Sequence, residues 1–288
     1  MRSLVWFITG ASRGFGLEIA RAALERGDAV VAAARDPKVV ERALGQREQL
    51  LAVEHDVIDE RQAQGAVRAA LARFGQIDVL VNNAGRGLLG AVEEASAEEV
   101  RSVFAVNVDG LLTVTRAVLP SMRERRSGRI LNLSSVGGFG AWPGWGVYCA
   151  TKFAVEGLSE ALYAELLPLG IHVTVIEPGT FRTDFLDASS LRRAARVIDD
   201  YSGSGGTARE WADTSNHNQL GDPAKGAAAI VTVATSTEPP LRVQLGTDSL
   251  ARVEAKIAQV ATELAAWRTL AESTDHEQTG TTTSLPPV

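Results

Sequence analysis

The strongest constraint on this chain is an alternation of short apolar runs with longer stretches of helical periodicity. Leu4 to Thr9, Ala29 to Ala34, Leu50 to Glu54, Ile77 to Val81, Arg129 to Leu133 and Ile171 to Ile176 read as strands. Between them Leu17 to Arg26, Glu60 to Phe74, Ala97 to Arg125 and Tyr148 to Leu167 carry apolar residues at helical spacing. Gly110 and Pro120 are expected to divide or kink the third of these helices, and Asp36-Pro37 to stop a strand and start a helix. A series of βαβ units makes a parallel sheet buried on both faces, which explains why the strands hold so few polar residues. The expected fold class is therefore α/β, a doubly wound parallel sheet with helices on both faces.

Past Thr183 the rhythm breaks. Asp199 to Gln219 is rich in Ser, Gly, Thr and Asn, too polar to pack and too long for an ordinary connection. Asp222-Pro223 restarts a helix to about Ala234, and Leu241 to Leu245 reads as a last strand. Leu250, Val253, Ile257, Val260, Leu264 and Trp267 then recur every three or four residues, an amphipathic helix that covers the protein's own core or binds another subunit. One domain is expected over 1–245, a helical extension over 246–271, and a Thr- and Pro-rich flexible tail over 272–288.

Composition excludes several classes. Of 288 residues, 45% are hydrophobic and 22% charged, as in globular proteins and unlike disordered or fibrous chains. A net charge of −6 offers no basic field for nucleic acid or an anionic membrane. Cys149 is the only cysteine, so no internal disulfide forms, and four scattered histidines give no metal-ligand spacing, so no metal is expected. No apolar run reaches the roughly 18 residues of a membrane span, and the first strand is too short for a signal peptide. These points predict a soluble, cytoplasmic protein.

Thr9-Gly10-Ala11-Ser12-Arg13-Gly14-Phe15-Gly16 lies directly between the first strand and the first helix. Glycines there allow a tight turn and let backbone N–H groups approach a pyrophosphate at the positive end of the helix dipole. Such a loop after the first strand is where a Rossmann-type dinucleotide fold places it. Further along, Tyr148 and Lys152 stand four apart at a helix start and share a face. An ammonium beside a phenol favours the phenolate, bringing a group that ordinarily titrates near 10 toward the range of acid–base chemistry at neutral pH.

The TGxxxGxG loop is followed by Asn82-Asn83-Ala84-Gly85, by Asn107 in the next long helix, by Ser135 thirteen residues before Tyr148, by Tyr148-Cys149-Ala150-Thr151-Lys152, and by Pro178-Gly179 with Thr183. In this order and spacing the motifs resemble those of the short-chain dehydrogenase/reductase family, with motif matches from residue 3 to about 183. That resemblance implies an oxidoreductase in which Tyr148 is the general acid/base, Lys152 holds the nicotinamide ribose and lowers the tyrosine pKa, and Ser135 orients the substrate oxygen. Asn107 would hold a water linking Lys152 to solvent. Ser134 is the rival of Ser135, and the spacing to tyrosine favours Ser135. Gly10, Ser12, Arg13, Gly14, Phe15, Gly16, Asn83, Ala84, Gly85, Pro178, Gly179 and Thr183 would contact the cofactor, with Asp56 and Val57 at the adenine.

At the end of the second strand, Ala34 stands at the position of the ribose-binding acid, and Arg35 where phosphate-binding members carry a basic residue. Arg13 occupies a second such position, so NADP(H) is expected over NAD(H). Asp36 competes on spacing but reads as a helix cap before Pro37. The substrate is expected to be a small, mostly apolar ketone, aldehyde or alcohol, in a pocket lined by Val136, Trp142, Trp145, Phe181, Phe185 and Leu186. Arg86 either meets an anionic group or is solvated. The substrate loop falls at about 184–221. A homodimer or homotetramer is expected, with no nucleic-acid or membrane partner. A same-family epimerase or dehydratase, or a non-catalytic dinucleotide sensor, are the alternatives.

Overall fold

The computed structural model describes residues 3–276. The helical part of the expected extension is present, whereas the flexible tail expected over 272–288 lies from residue 277 onward outside the described residues. In chain order the elements begin β1 (Val5–Thr9), α1 (Gly14–Glu25), β2 (Ala29–Ala34), α2 (Pro37–Leu44), β3 (Leu50–Glu54), α3 (Glu60–Phe74), β4 (Val79–Asn82) and β5 (Gly87–Leu89). After these come α4 (Ala97–Phe104), α5 (Gly110–Arg125), β6 (Gly128–Leu133), α6 (Gly146–Leu166), β7 (Ile171–Pro178) and β8 (Leu191–Arg193). The last are α7 (Thr207–Ser215), α8 (Pro223–Thr235), β9 (Arg242–Leu245) and α9 (Thr247–Glu272).

Seven strands form one parallel sheet in the order β3-β2-β1-β4-β6-β7-β9. Side chains alternate between two cores, as the period of two in a strand requires. Trp6, Ile8, Val30, Ala32, Val79 and Val81 face α1, α2 and α8, where Ile19, Ala23, Val40 and Ile230 meet them. Phe7, Val31, Ala33, Leu80 and Ile130 face α3, α5 and α6, against Ala63, Val67, Val114, Val118 and Leu166. The doubly wound Rossmann-type sheet expected from the alternation is present. Strand order reverses between β1 and β4: β1 continues into α1 on one face, while the chain after β4 leads to α4 and α5 on the other. A crevice is left at the carboxyl ends of the two strands.

Two sequence expectations change. Ala97 to Arg125 is apolar enough by length and composition to span a membrane, yet its Val103, Val114, Val118 and Met122 are packed inside the protein. The break in this run falls at a π-turn, Ala105–Asp109, rather than at proline, and Pro120 sits inside α5 without ending it. The Asp199–Gln219 segment was expected to be too polar to pack. Instead it forms a π-turn, Ser202–Gly206, and α7, with Gly205, Ala212 and Gln219 buried. Small residues let it approach closely, since a Cβ at Gly144 would stand 2.4 Å from Ala208 Cβ. The buried Glu94 carboxylate anchors it further, accepting from Arg209 and from Ile198 N at 2.9 Å.

Beneath the crevice, polar side chains tie the strand ends to the helices. Asn82 Nδ2 donates to Thr115 Oγ1 and to Asn132 Oδ1, both at 2.9 Å, and Asn132 Nδ2 donates to Ser159 Oγ at 2.8 Å. All four side chains are buried. Asn132→Ala removes one acceptor and one donor from this network and should cost about 2 kcal/mol in urea unfolding; a loss below about 0.5 kcal/mol would show that the network does not hold the strand ends.

Candidate active site

The glycine loop leaves β1 with Gly10 at φ +65°, a left-handed conformation that favours glycine. A Cβ on Gly16 would lie 2.4 Å from Gly10 O and 2.5 Å from Asn83 Nδ2, so helix α1 can seat this close to β1 and β4 only with glycine there. Gly16 thus packs the loop, whereas Gly10, Ser12, Arg13, Gly14 and Phe15 line the cleft. No side chain caps the first turn of α1, which leaves its N–H groups for an anion. Asn83 clasps the loop, its Nδ2 donating to Thr9 O at 2.8 Å and to Gly10 O at 3.2 Å. Thr9 Oγ1 in turn accepts from Asn83 N and Ala84 N, each at 3.0 Å.

The cleft, about 300 Å³, runs from this loop to the aromatic pocket. Arg35, Asp56, Val57, Asn83, Ala84, Gly85, Ser135, Tyr148, Lys152, Pro178, Gly179 and Thr183 all line it, as do all six residues expected in the substrate pocket. Asp56 does not cap α3: Asp59 does so, accepting from Arg61 N and Gln62 N. Asp36 does cap α2, accepting from Lys38 N at 3.0 Å. Arg13 departs from expectation. Its guanidinium donates to Ser189 O at 3.0 Å and Ser190 Oγ at 2.8 Å, across the cleft on the segment after β7, rather than standing free beside Arg35.

Arg86, left open by the sequence, lines the cleft, and its pKa is lowered by burial and by the charges of Arg35 and Arg192. Arg192 carried no sequence signal, because it enters through β8. This three-residue strand pairs with β5, and neither is long enough to show periodicity. His55 is also new, buried at the same end of the cleft.

At the other end α6 presents Tyr148 and Lys152 on one face, both buried. Ser135 lines the cleft beside Tyr148, where its side chain favours the phenolate. Ser135 Oγ accepts from Gly137 N at 3.0 Å. Ser134 is placed differently: a Cβ on Gly138 would strike both its Oγ and the Glu156 side chain, so the hydroxyl sits with Glu156 behind the site. Lys152 Nζ donates to Leu133 O at 2.7 Å and lies 5.9 Å from the centre of the Tyr148 ring. Asn107 is not in the cleft wall. Its Oδ1 accepts from Arg86 N and its Nδ2 donates to Arg86 O and Thr151 Oγ1, all at 2.9 Å, tying the segment between β4 and β5 to α6.

The electrostatics of the free protein differ from the simple lysine–phenol argument. Burial pushes the Tyr148 phenol well above its ordinary 10, with the Ser135 side chain opposing. Burial also pulls Lys152 down to about 8, against the pull of the Glu156 charge. Both shifts have one cause, the cost of a charge in a dry wall. Trp145 adds to that wall, edge-on to Tyr148 at 5.8 Å and stacked on Phe185 at 6.5 Å. Trp211 on α7 meets Trp145 edge-on at 6.2 Å. The sequence missed Trp211 because its segment was read as unpacked. At the lip, Asp184, Asp187 and His217 are close enough together to hold a cation, a grouping the scattered histidine positions did not reveal. His217 Nε2 lies 3.2 Å from Asp187, which also accepts from Asn216 at 2.7 Å.

Similarity to known proteins bears on the same residues. A family model described as short chain dehydrogenase matches residues 4–194. Oxidoreductase BOA17 of Botryotinia fuckeliana is 38% identical over 248 residues, covering 85% of this chain and 90% of its own. A 3-ketodihydrosphingosine reductase of Bacteroides thetaiotaomicron is 37% identical over 246 residues, covering 85% and 89%. A short-chain dehydrogenase structure from Streptomyces avermitilis matches with a TM-score of 0.88 at 39% identity, over 95% of this chain and 98% of that one. A 3-ketoacyl-(acyl-carrier-protein) reductase from Brucella melitensis complexed with NADH gives a TM-score of 0.71 at 30% identity, over 84% and 96%. The closed form of a serine dehydrogenase complexed with NADP+ gives 0.72 at 30%, over 84% and 94%. The chain belongs to the short-chain dehydrogenase family of oxidoreductases.

The lowered lysine has a measurable consequence. The unfolded chain keeps the Lys152 proton up to about 10.5, whereas the folded protein releases it from about 8. More protons are bound unfolded across that window, so this group makes stability rise with pH there. Relative to Lys152→Met, the wild type should gain unfolding free energy between pH 8 and pH 10 in urea titrations; a difference that stays constant would contradict the burial argument.

Proposed function

We propose that the protein is an NADP(H)-dependent oxidoreductase that interconverts a ketone or aldehyde and an alcohol on a mostly apolar small molecule. The observation that carries this reading is one continuous cleft with an uncapped glycine loop at one end and Ser135, Tyr148 and Lys152 under an aromatic wall at the other. The relatives with NADH and with NADP+ support a nicotinamide dinucleotide, and the relative named as a ketone reductase supports carbonyl chemistry.

The residues present fit the dinucleotide. The open N–H groups of α1 would take the pyrophosphate, Asp56 and Val57 the adenine, and Lys152 the nicotinamide ribose, with Thr183 at the carboxamide. When bound, the nicotinamide supplies or accepts the hydride. The chain handles the proton. Tyr148 keeps its proton throughout the neutral range and stands ready to give it to a carbonyl oxygen, which Ser135 orients by hydrogen bonding. Lys152 is buried beside Tyr148, and a positive charge there favours the phenolate left after transfer. Asn107 contributes by fixing the Gly85–Arg86 backbone against α6. Trp142, Trp145, Phe185 and Trp211 exclude water from the transfer and favour an apolar substrate.

NADP(H) is preferred on the arginines. Asp36 is occupied as a helix cap, Ala34 offers no carboxylate, and the charges of Arg35 and Arg192 both disfavour that of Arg86. A 2′-phosphate would relieve that repulsion.

Two variants test the assignment. Tyr148→Phe should lower kcat by about 10³-fold or more while leaving nucleotide affinity within about threefold; retained turnover would remove the tyrosine from its role. Arg35→Ala should weaken NADPH binding by about tenfold or more with little effect on NADH, and equal losses for both would remove the arginine argument.

A further inference from the structure

Behind Tyr148 and Lys152 lies a second set of charged groups that the proposed proton transfer leaves unused. Glu156 stands one turn after Lys152 on α6, and Glu177 lies near the end of β7, just before Pro178-Gly179; both are buried. The two carboxylates face one guanidinium on β9, with Arg242 Nε 3.1 Å from Glu156 Oε2 and 3.5 Å from Glu177 Oε1. Gln244 Nε2 donates to Glu177 Oε2 at 3.1 Å, whereas Glu177 Oε1 accepts no hydrogen bond. Arg242 is itself divided, since its Nη2 donates to Glu160 on the outer side of α6. At the start of α9, Asp248 is occupied elsewhere, accepting from Thr180 N at 2.7 Å and Thr180 Oγ1 at 2.8 Å.

This cluster meets the site across two successive glycines. A Cβ on Gly137 would lie 3.4 Å from Ser135 Oγ and 3.5 Å from Tyr148 Cε1. One on Gly138 would strike Ser134 Oγ and stand 3.0 Å from Glu156 Oε1. A single turn of backbone, Val136–Gly138, therefore has the candidate proton donor against one glycine and the Glu156 carboxylate against the next.

Two buried carboxylates beside one shared guanidinium do not both ionise readily. Burial and the Glu156 charge push Glu177 up to about 7, with Gln244 and Arg242 opposing, and burial raises Glu156 as well. Arg242 stands closer to Glu156, which leaves Glu177 as the better place for a proton. The Glu156 charge in turn holds the Lys152 ammonium up against its burial. We propose that Glu156 and Glu177 share one proton, and that the single negative charge left between them is the buried counter-charge of Lys152, making Glu156 a positioning residue for the proton transfer. The positioning role rests on the proposed function, whereas the shared proton does not. With Glu156 charged, Lys152 keeps the positive charge that favours the Tyr148 phenolate once its proton has gone to a carbonyl oxygen.

The test reads the lysine directly. Lys38, Lys225 and Lys256 are the only other lysines in the chain, so NMR of the full-length protein carrying ¹³C at the lysine Cε can follow Lys152, its resonance identified by its loss in Lys152→Met. Without cofactor the wild type should titrate at about 8. Glu156→Gln should lower that midpoint by about one pH unit, a tenfold loss of proton affinity, and Glu156→Asp, which keeps the charge, should recover most of it. Infrared spectra below the Glu177 midpoint of about 7 should show a buried protonated carboxyl in the wild type that Glu177→Gln removes, a check that needs no change at Glu156. A Lys152 midpoint unmoved by Glu156→Gln overturns the proposal, as does the absence of that protonated carboxyl. In carbonyl reduction the alkaline limb of kcat/KM should move down with the lysine midpoint. A moved midpoint with a limb that stays in place overturns the positioning role. A moved midpoint with no turnover of any carbonyl compound overturns the proposed function and leaves the shared proton standing.

Discussion

The clasp between the ends of β1 and β4 is the contact on which the rest of the site depends. Asn83 donates two hydrogen bonds to Thr9 and one to Gly10, and Ala84 N donates a further one to Thr9 Oγ1. Because the two strands are neighbours whose onward helices lie on opposite faces, nothing fills the space above them. The clasp fixes that space at its floor. Gly16 lets α1 descend onto it, Asn82 carries the connection down to Asn132, and Asn132 is three residues from Ser135 on the neighbouring strand. Phosphate cradle and candidate proton donor are thus held by one short chain of hydrogen bonds.

Burial then sets the chemistry. The same aromatic wall that shapes the pocket removes water from Tyr148 and Lys152, and each responds by favouring its neutral form. A second buried group lies just behind them: Glu156, with Glu177 pushed up to about 7 by its burial and by the Glu156 charge, beside Arg242. Charge in this region is scarce and closely balanced, so the arrival of a charged ligand acts on groups with little solvent to screen it.

Much of this was legible in the sequence, and the exceptions share a cause. All seven strands of the main sheet were visible as short runs, the inner β1, β2 and β4 most clearly because double burial writes a nearly pure apolar run. The strands β5 and β8 were not, since three residues hold no period, and with them went Arg192. Tyr148, Lys152 and Ser135 came together as motif spacing indicated, whereas Arg13 turned to Ser189 and Ser190, a partner 176 residues away that no local pattern announces. Trp211 was hidden in a segment whose packing relies on Gly144, Gly205 and Ala208 being small rather than on hydrophobicity. Long-range contacts made by polar or small residues are what a reading of periodicity misses.

The most direct measurement is a titration of the wild-type protein with NADPH and with NADH, followed by nicotinamide fluorescence. The account predicts saturable binding of NADPH and clearly weaker binding of NADH, as an arginine-lined cleft without a free ribose acid requires. A preference for NADH would contradict the role given to the arginines. Binding of neither would contradict the reading of the cleft as a dinucleotide site.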